Sequence, residues 1–110
     1  MKVVITSIEL KNPLKFFVFA YYVIQIVKQL KTSNHKDFKN KGFWTTFYTM
    51  TLWNNETDIL AFAKSGTHLE SMKKSRTIAK EIWTYTYETD SLPTWDKAII
   101  LLKKGKVIKF

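Results

Sequence analysis

The stretch GFWTTFYTMTLWNNETDILAFAKSGTHLESM, residues 42–72, decides how this chain is read. From Phe43 to Trp53 every residue is aromatic, β-branched, Met or Leu. Such side chains fit a pleated surface, so the run predicts a long strand. One phase carries Phe43, Thr45, Phe47, Thr49, Thr51 and Trp53; the other carries Trp44, Thr46, Tyr48, Met50 and Leu52. Neither phase holds a charge, whereas a strand with one wet face alternates apolar and polar residues. Both faces are therefore expected to be covered, one by helices and the other by a second sheet. A partner subunit is the simplest source of that second sheet.

A helix entry follows. Asn54 or Asn55 can cap its N-terminus, with Glu56 and Asp58 in the first turn, where carboxylates favour the dipole. Ile59, Phe62 and Ala63 form one apolar stripe and Gly66 is a natural stop. Thr67 and Glu70 then have capping-box spacing around His68. The restarted helix turns Leu69 and Met72 inward and runs to about residue 80.

Composition bounds the rest. At 110 residues the chain fits one domain, 1–110, and 45 % apolar with 15 % aromatic content allows a real core. There is no cysteine, which excludes disulfides and thiol chemistry and fits a reducing cytoplasm. The net charge of +9 raises a nucleic-acid or anionic-membrane reading. However, the lysines are spread along the chain and Arg76 is the single arginine, so a solvated basic surface is expected and nucleic acid is an unlikely partner. The most apolar run, Phe16 to Ile24, is far shorter than the ~20 residues of a membrane span. Nor does it sit where a signal peptide would.

Taken in order, residues 2–10 read as a strand ending at Lys11-Asn12-Pro13, with Asn12 as cap and Pro13 at the first helical position. Residues 14–30 form a helix with a core stripe of Phe16, Phe19, Val23, Ile26, Val27 and Leu30. Phe17, Tyr21, Tyr22 and Ile24 widen its apolar girth, so Tyr21 and Tyr22 are candidates for a cavity wall or a subunit contact. His35 reads as an exposed loop residue, and Phe38 as part of a short edge strand turning at Asn40-Lys41-Gly42. Residues 81–89 form the next strand, with Trp83, Tyr85 and Tyr87 in one phase. Those three suit either core packing or the wall of a ligand site. Thr94 caps a short helix, 95–102, and Val107, Ile108 and Phe110 are expected to add a last strand or to cover an edge. This order gives an α+β fold, the ferredoxin-like split β-α-β sheet with helices on one face.

Thr-Met-Thr-Leu-Trp at 49–53, Asn-Asn-Glu at 54–56, Phe62-Ala63, Ser65-Gly66 and His68 together resemble the dimeric α+β-barrel superfamily, which includes antibiotic-biosynthesis and haem-degrading monooxygenases. The nearest likeness is to small bacterial proteins similar to spheroidene monooxygenase, and it is strongest over about residues 43–75. The resemblance implies a homodimer whose two sheets close a barrel, with a pocket in each subunit. Trp53 matches the tryptophan that closes the third strand and shapes the cavity of the haem-degrading members. Those members also carry an asparagine on the first strand, where this chain has Thr6, Ser7 and Ile8. Their haem-ligating histidine lies further along the helix than His68. Two of three positions depart, so haem is a doubtful cofactor and none is required.

His68 is the candidate catalytic residue. In the first turn of a helix the positive local field disfavours imidazolium, and a neutral imidazole can act as base, polar anchor or ligand. The plainer role is a hydrogen bond that tidies the helix start. Trp53, Tyr48, Trp83, Tyr85 and Tyr21 are the candidate ligand-binding residues, with core or interface packing as their ordinary alternative. Glu56, Asp58 and Glu70 read as caps. A Gly-rich phosphate loop, paired metal-binding histidines and a Gly-x-Ser-x-Gly elbow are all absent from the sequence. Two functions fit: a homodimeric barrel that binds a small apolar or aromatic molecule, as a monooxygenase-like enzyme, or a non-catalytic dimeric module offering a basic surface to an anionic partner.

Overall fold

Strand β1 (Lys2–Leu10) lies at the middle of the sheet, with a neighbour hydrogen-bonded along each edge. The computed structural model describes residues 1–31, 33, 35–43, 45–64 and 78–109. Among these, β1 is followed by a 3-10 turn at Pro13–Lys15, α1 (Phe16–Lys31), β2 (His35–Phe43), β3 (Thr46–Trp53), α2 (Glu56–Ala63), β4 (Ala79–Glu88), α3 (Trp95–Leu102) and β5 (Lys106–Lys109). The strand order is β2-β3-β1-β4-β5 and every pairing is antiparallel. This is the α+β, ferredoxin-like plan that the element order predicts, with β5 added at one edge.

Local chemistry starts each helix. Asn12 Oδ1 accepts from the Lys15 amide at 3.2 Å with Pro13 in the first turn. Asn55 Oδ1 accepts from the Asp58 amide at 3.0 Å, and Thr94 Oγ1 from the Lys97 amide at 3.3 Å. Each cap satisfies an amide that the helix itself leaves open.

The hairpin differs from the sequence reading. β2 is not a short piece ending at residues 40–42; it runs on to Phe43, which pairs with Thr46 of β3. Gly42 lies inside β2 opposite Phe47, and a Cβ there would stand 2.7 Å from Phe47 Cε1. The glycine thus admits the Phe47 ring rather than making the turn. Thr45 is held to the sheet centre by its carbonyl, which accepts from the Leu10 amide at 2.8 Å. His35 opens β2 opposite Trp53 instead of lying in an exposed loop, and its Nδ1 is 3.1 Å from Ser33 Oγ. β4 begins at Ala79, opposite Leu10, two residues ahead of the start expected at 81.

Each face of the sheet packs against helix. On one, Phe19 of α1 stacks on Phe47 at 4.5 Å, and Phe62 of α2 meets Trp53 at 5.4 Å. Leu10, Phe19 and Ile78 are the buried centre of this layer. The opposite face carries Val3, Ile5, Met50 and Leu52, packed against Ala98 and Leu102 of α3. A helix of the same chain therefore covers part of the face for which the strand pattern asked a partner. The exposed edges are rich in lysine, with Lys36, Lys39 and Lys41 on β2 and Lys106 and Lys109 on β5. Lysine discourages edge-to-edge strand pairing, and this accounts for part of the positive charge.

Candidate functional site

Ser7 is the buried polar residue of β1, in phase with Val3 and Ile5. It pairs with Tyr48 of β3 on one side and Trp83 of β4 on the other. Period-2 alternation then puts all three side chains on the face that α3 crosses. With Ile99, Leu102 and Lys103 they line an open cleft of about 240 Å³. Ser7 is only 8 % exposed, and among the described residues its hydroxyl has no hydrogen-bond partner. A hydroxyl buried this deeply is costly unless something bonds it.

The walls are held in place. Trp83 Nε1 donates to Glu81 Oε1 at 3.0 Å, which fixes the indole. The Tyr48 ring lies 6.3 Å from that of Trp95, the first residue of α3. The cleft thus offers aromatic and aliphatic walls, the buried Ser7 and the exposed Lys103. That chemistry suits a flat apolar or aromatic molecule bearing a polar oxygen. The volume is below the ~300–1,000 Å³ of drug-sized sites, which suits a small ligand. Among the described residues no three of His, Cys, Asp and Glu cluster as a metal site would need.

Of the expected site residues, Tyr48 and Trp83 come together here. Tyr85 lies one row along the same face, opposite Ile5, within the layer that packs under α3. Its ring meets Tyr87 edge-on at 5.7 Å. Burial, with a smaller contribution from Tyr85, pushes the Tyr87 phenol above the ordinary tyrosine value. Trp53 is on the opposite face, 2 % exposed, with Phe62 on one side and the His35 ring 6.2 Å away. Tyr21 is on the outward side of α1, edge-to-face with Tyr22 at 5.5 Å. His68, Leu69, Met72 and the Thr67–Glu70 cap lie outside the described residues.

Sequence reasoning passed over Ser7, Ile99, Leu102 and Lys103 as site residues. The available signal was a serine in phase with Val3 and Ile5, a polar group where the alternation demands an apolar one.

No protein-family model and no curated protein matches the sequence. Solved structures do match. A conserved protein from Methanosarcina mazei superposes with a TM-score of 0.72 at 14 % identity, over 81 % of this chain and 92 % of that one. A structure described as an antibiotic biosynthesis monooxygenase gives 0.70 at 10 % identity, over 84 % of this chain and 100 % of that one. A candidate antibiotic biosynthesis monooxygenase from Deinococcus radiodurans gives 0.70 at 7 %, over 86 % and 97 %. At such identities the likeness is one of fold. This chain shares its α+β ferredoxin-like fold with these structures, antibiotic biosynthesis monooxygenases among them.

Proposed function

We propose that the chain forms a homodimeric α+β barrel and that the cleft beneath α3 binds a small apolar or aromatic molecule between Tyr48 and Trp83. The observation that carries this reading is the Ser7 hydroxyl, buried and unpartnered among the described residues in an aromatic-walled cleft. A ligand oxygen bonded to Ser7 would satisfy that hydroxyl, while the two rings provide apolar area. Lys103 favours an ionised phenol or carboxylate. The presence of antibiotic biosynthesis monooxygenases among the structural neighbours supports an oxidative version of the reading. There dioxygen is the oxidant and the bound phenol the only reductant: the phenol O–H and the adjacent ring C–H are broken, one oxygen enters at that carbon as the second carbonyl of an ortho-quinone, and the other leaves with the two hydrogens as water. In that version His68 is the base.

The test is a fluorescence titration with 2-naphthol and 2-naphthoate, with molar mass by light scattering on the same samples. Saturable binding by a dimer, weakened at least tenfold in Tyr48→Ala and Trp83→Ala, is the expected result. Unchanged affinity in both variants, or no saturation, would overturn the binding site, and a monomer would overturn the barrel. Oxygen uptake with a bound phenol, abolished in His68→Ala, tests the oxidative version separately.

A further inference from the structure

Helix α1 turns an apolar stripe outward. Leu14, just before it, is 80 % exposed, Phe17 76 % and Tyr21 60 %, with Val18 and Ile24 also exposed. Leu14, Phe17, Tyr21 and Ile24 follow one another at spacings of three and four, so they share one side of the helix, with Val18 beside them. Their opposite side is the one that puts Phe19 on Phe47. An apolar stripe of this extent is more than scattered surface hydrophobics, and it needs a partner surface.

The charges around the stripe choose the partner. Lys11 and Lys15 stand at its N-terminal end, and Lys28 and Lys31 at its C-terminal end. Lys28 continues the stripe, one turn beyond Ile24. The helix FFVFAYYVIQIVKQLK contains no acidic residue at all. A second copy of the chain laid on this surface would oppose lysine to lysine at both ends, with no carboxylate on either helix to pair them. An anionic bilayer reverses the sign of that interaction. Its headgroups attract the lysines, and its hydrocarbon margin accepts Phe17, Tyr21 and Ile24. No helix among the described residues is long and apolar enough to cross a membrane, so the helix would lie along the surface.

We propose that the outer face of α1 binds an anionic lipid surface, with Leu14, Phe17, Tyr21 and Ile24 entering the interface and Lys11, Lys15, Lys28 and Lys31 on the headgroups. The surface is separate from the cleft under α3, on the other side of the sheet. This assignment therefore stands or falls independently of the ligand-binding reading.

The experiment is co-sedimentation of the full chain with vesicles of phosphatidylcholine alone and with 30 % phosphatidylglycerol, at low and high salt. The wild type is expected to bind the anionic vesicles, to release as salt rises, and to bind neutral vesicles at least about tenfold more weakly. Phe17→Ser with Tyr21→Ser, both exposed positions, should lower the affinity at least about tenfold, and Lys28→Glu with Lys31→Glu should do the same through charge alone. Far-UV spectra and molar mass check that each variant keeps its fold. No binding by the wild type, equal binding to neutral vesicles, or unchanged binding in both variants would overturn the proposal. So would a fall in molar mass on Phe17→Ser with Tyr21→Ser without any vesicle binding, because the stripe would then be a contact between copies.

Discussion

Trp53 and Tyr48 stand five residues apart on β3, and this odd spacing places them on opposite faces of the sheet. Trp53 is sealed between α2 and the His35 ring. Tyr48 faces α3 and the cleft. The same strand thus supplies one aromatic residue to each layer, and the two should respond differently to truncation.

Trp53→Ala should cost about 3–5 kcal/mol, the usual range for emptying a buried aromatic site. The folded fraction should keep its affinity for an aromatic ligand of the cleft. Urea denaturation and a ligand titration on the same preparation would show this. Comparable losses of affinity in Trp53→Ala and Tyr48→Ala would instead mean that the two faces share one site.

Ser7→Ala removes a buried hydroxyl that has no hydrogen bond to lose among the described residues. Stability should therefore rise by about 1 kcal/mol, because the desolvation penalty of an unsatisfied group disappears. Affinity for 2-naphthol should fall more than affinity for naphthalene. A drop in the denaturation midpoint would show that the hydroxyl is bonded in the unliganded protein.

Gly105 lies in the turn from α3 to β5, where a Cβ would stand 2.1 Å from the Thr84 carbonyl oxygen. Backbone cannot yield as a side-chain tip does. Gly105→Ala should destabilise the fold by about 1–3 kcal/mol and detach β5 from β4. Amide hydrogen exchange at Lys106 to Lys109 should accelerate. Protection equal to wild type there would show that the turn re-forms elsewhere.

Tyr87 should ionise above the ordinary tyrosine value, because burial and then the neighbouring Tyr85 disfavour its phenolate. The linkage runs one way. The unfolded chain gives up this proton at the ordinary tyrosine value and the folded chain only at a higher pH, so stability is complete below pH 10 or so and falls as pH rises through that window. An ultraviolet titration should show one late tyrosine, and Tyr87→Phe should remove it. A titration in which Tyr87→Phe leaves the late component unchanged would refute the shift.

Much of the fold was legible because its signals are local. Residues 2–10 and 95–102 form the expected elements to the residue. A strand is marked by alternation, and a helix start by Asn or Thr followed three residues later by an amide that needs an acceptor. The turn was misplaced for a tertiary reason. Asn40-Lys41-Gly42 carries ordinary turn residues, yet the Phe47 ring lying against Gly42 and the Leu10–Thr45 hydrogen bond keep these three residues in β2, paired with Phe47 to Thr49.

The site divides in the same way. Sequence by itself determined that Tyr48, Trp83 and Tyr85 are strand residues in single phases, because the phase of a strand is fixed within a few bonds. It also determined that α1 is apolar over more than one side. Only the tertiary structure decided that Ser7 stands between Tyr48 and Trp83, since that register joins segments 41 and 76 residues away from it. It alone decided that α3 crosses to the face opposite α1 and α2, leaving Trp53 in one layer and Tyr48 in the other. Such long-range choices rest on how whole layers fit together, and no window of a few residues contains them.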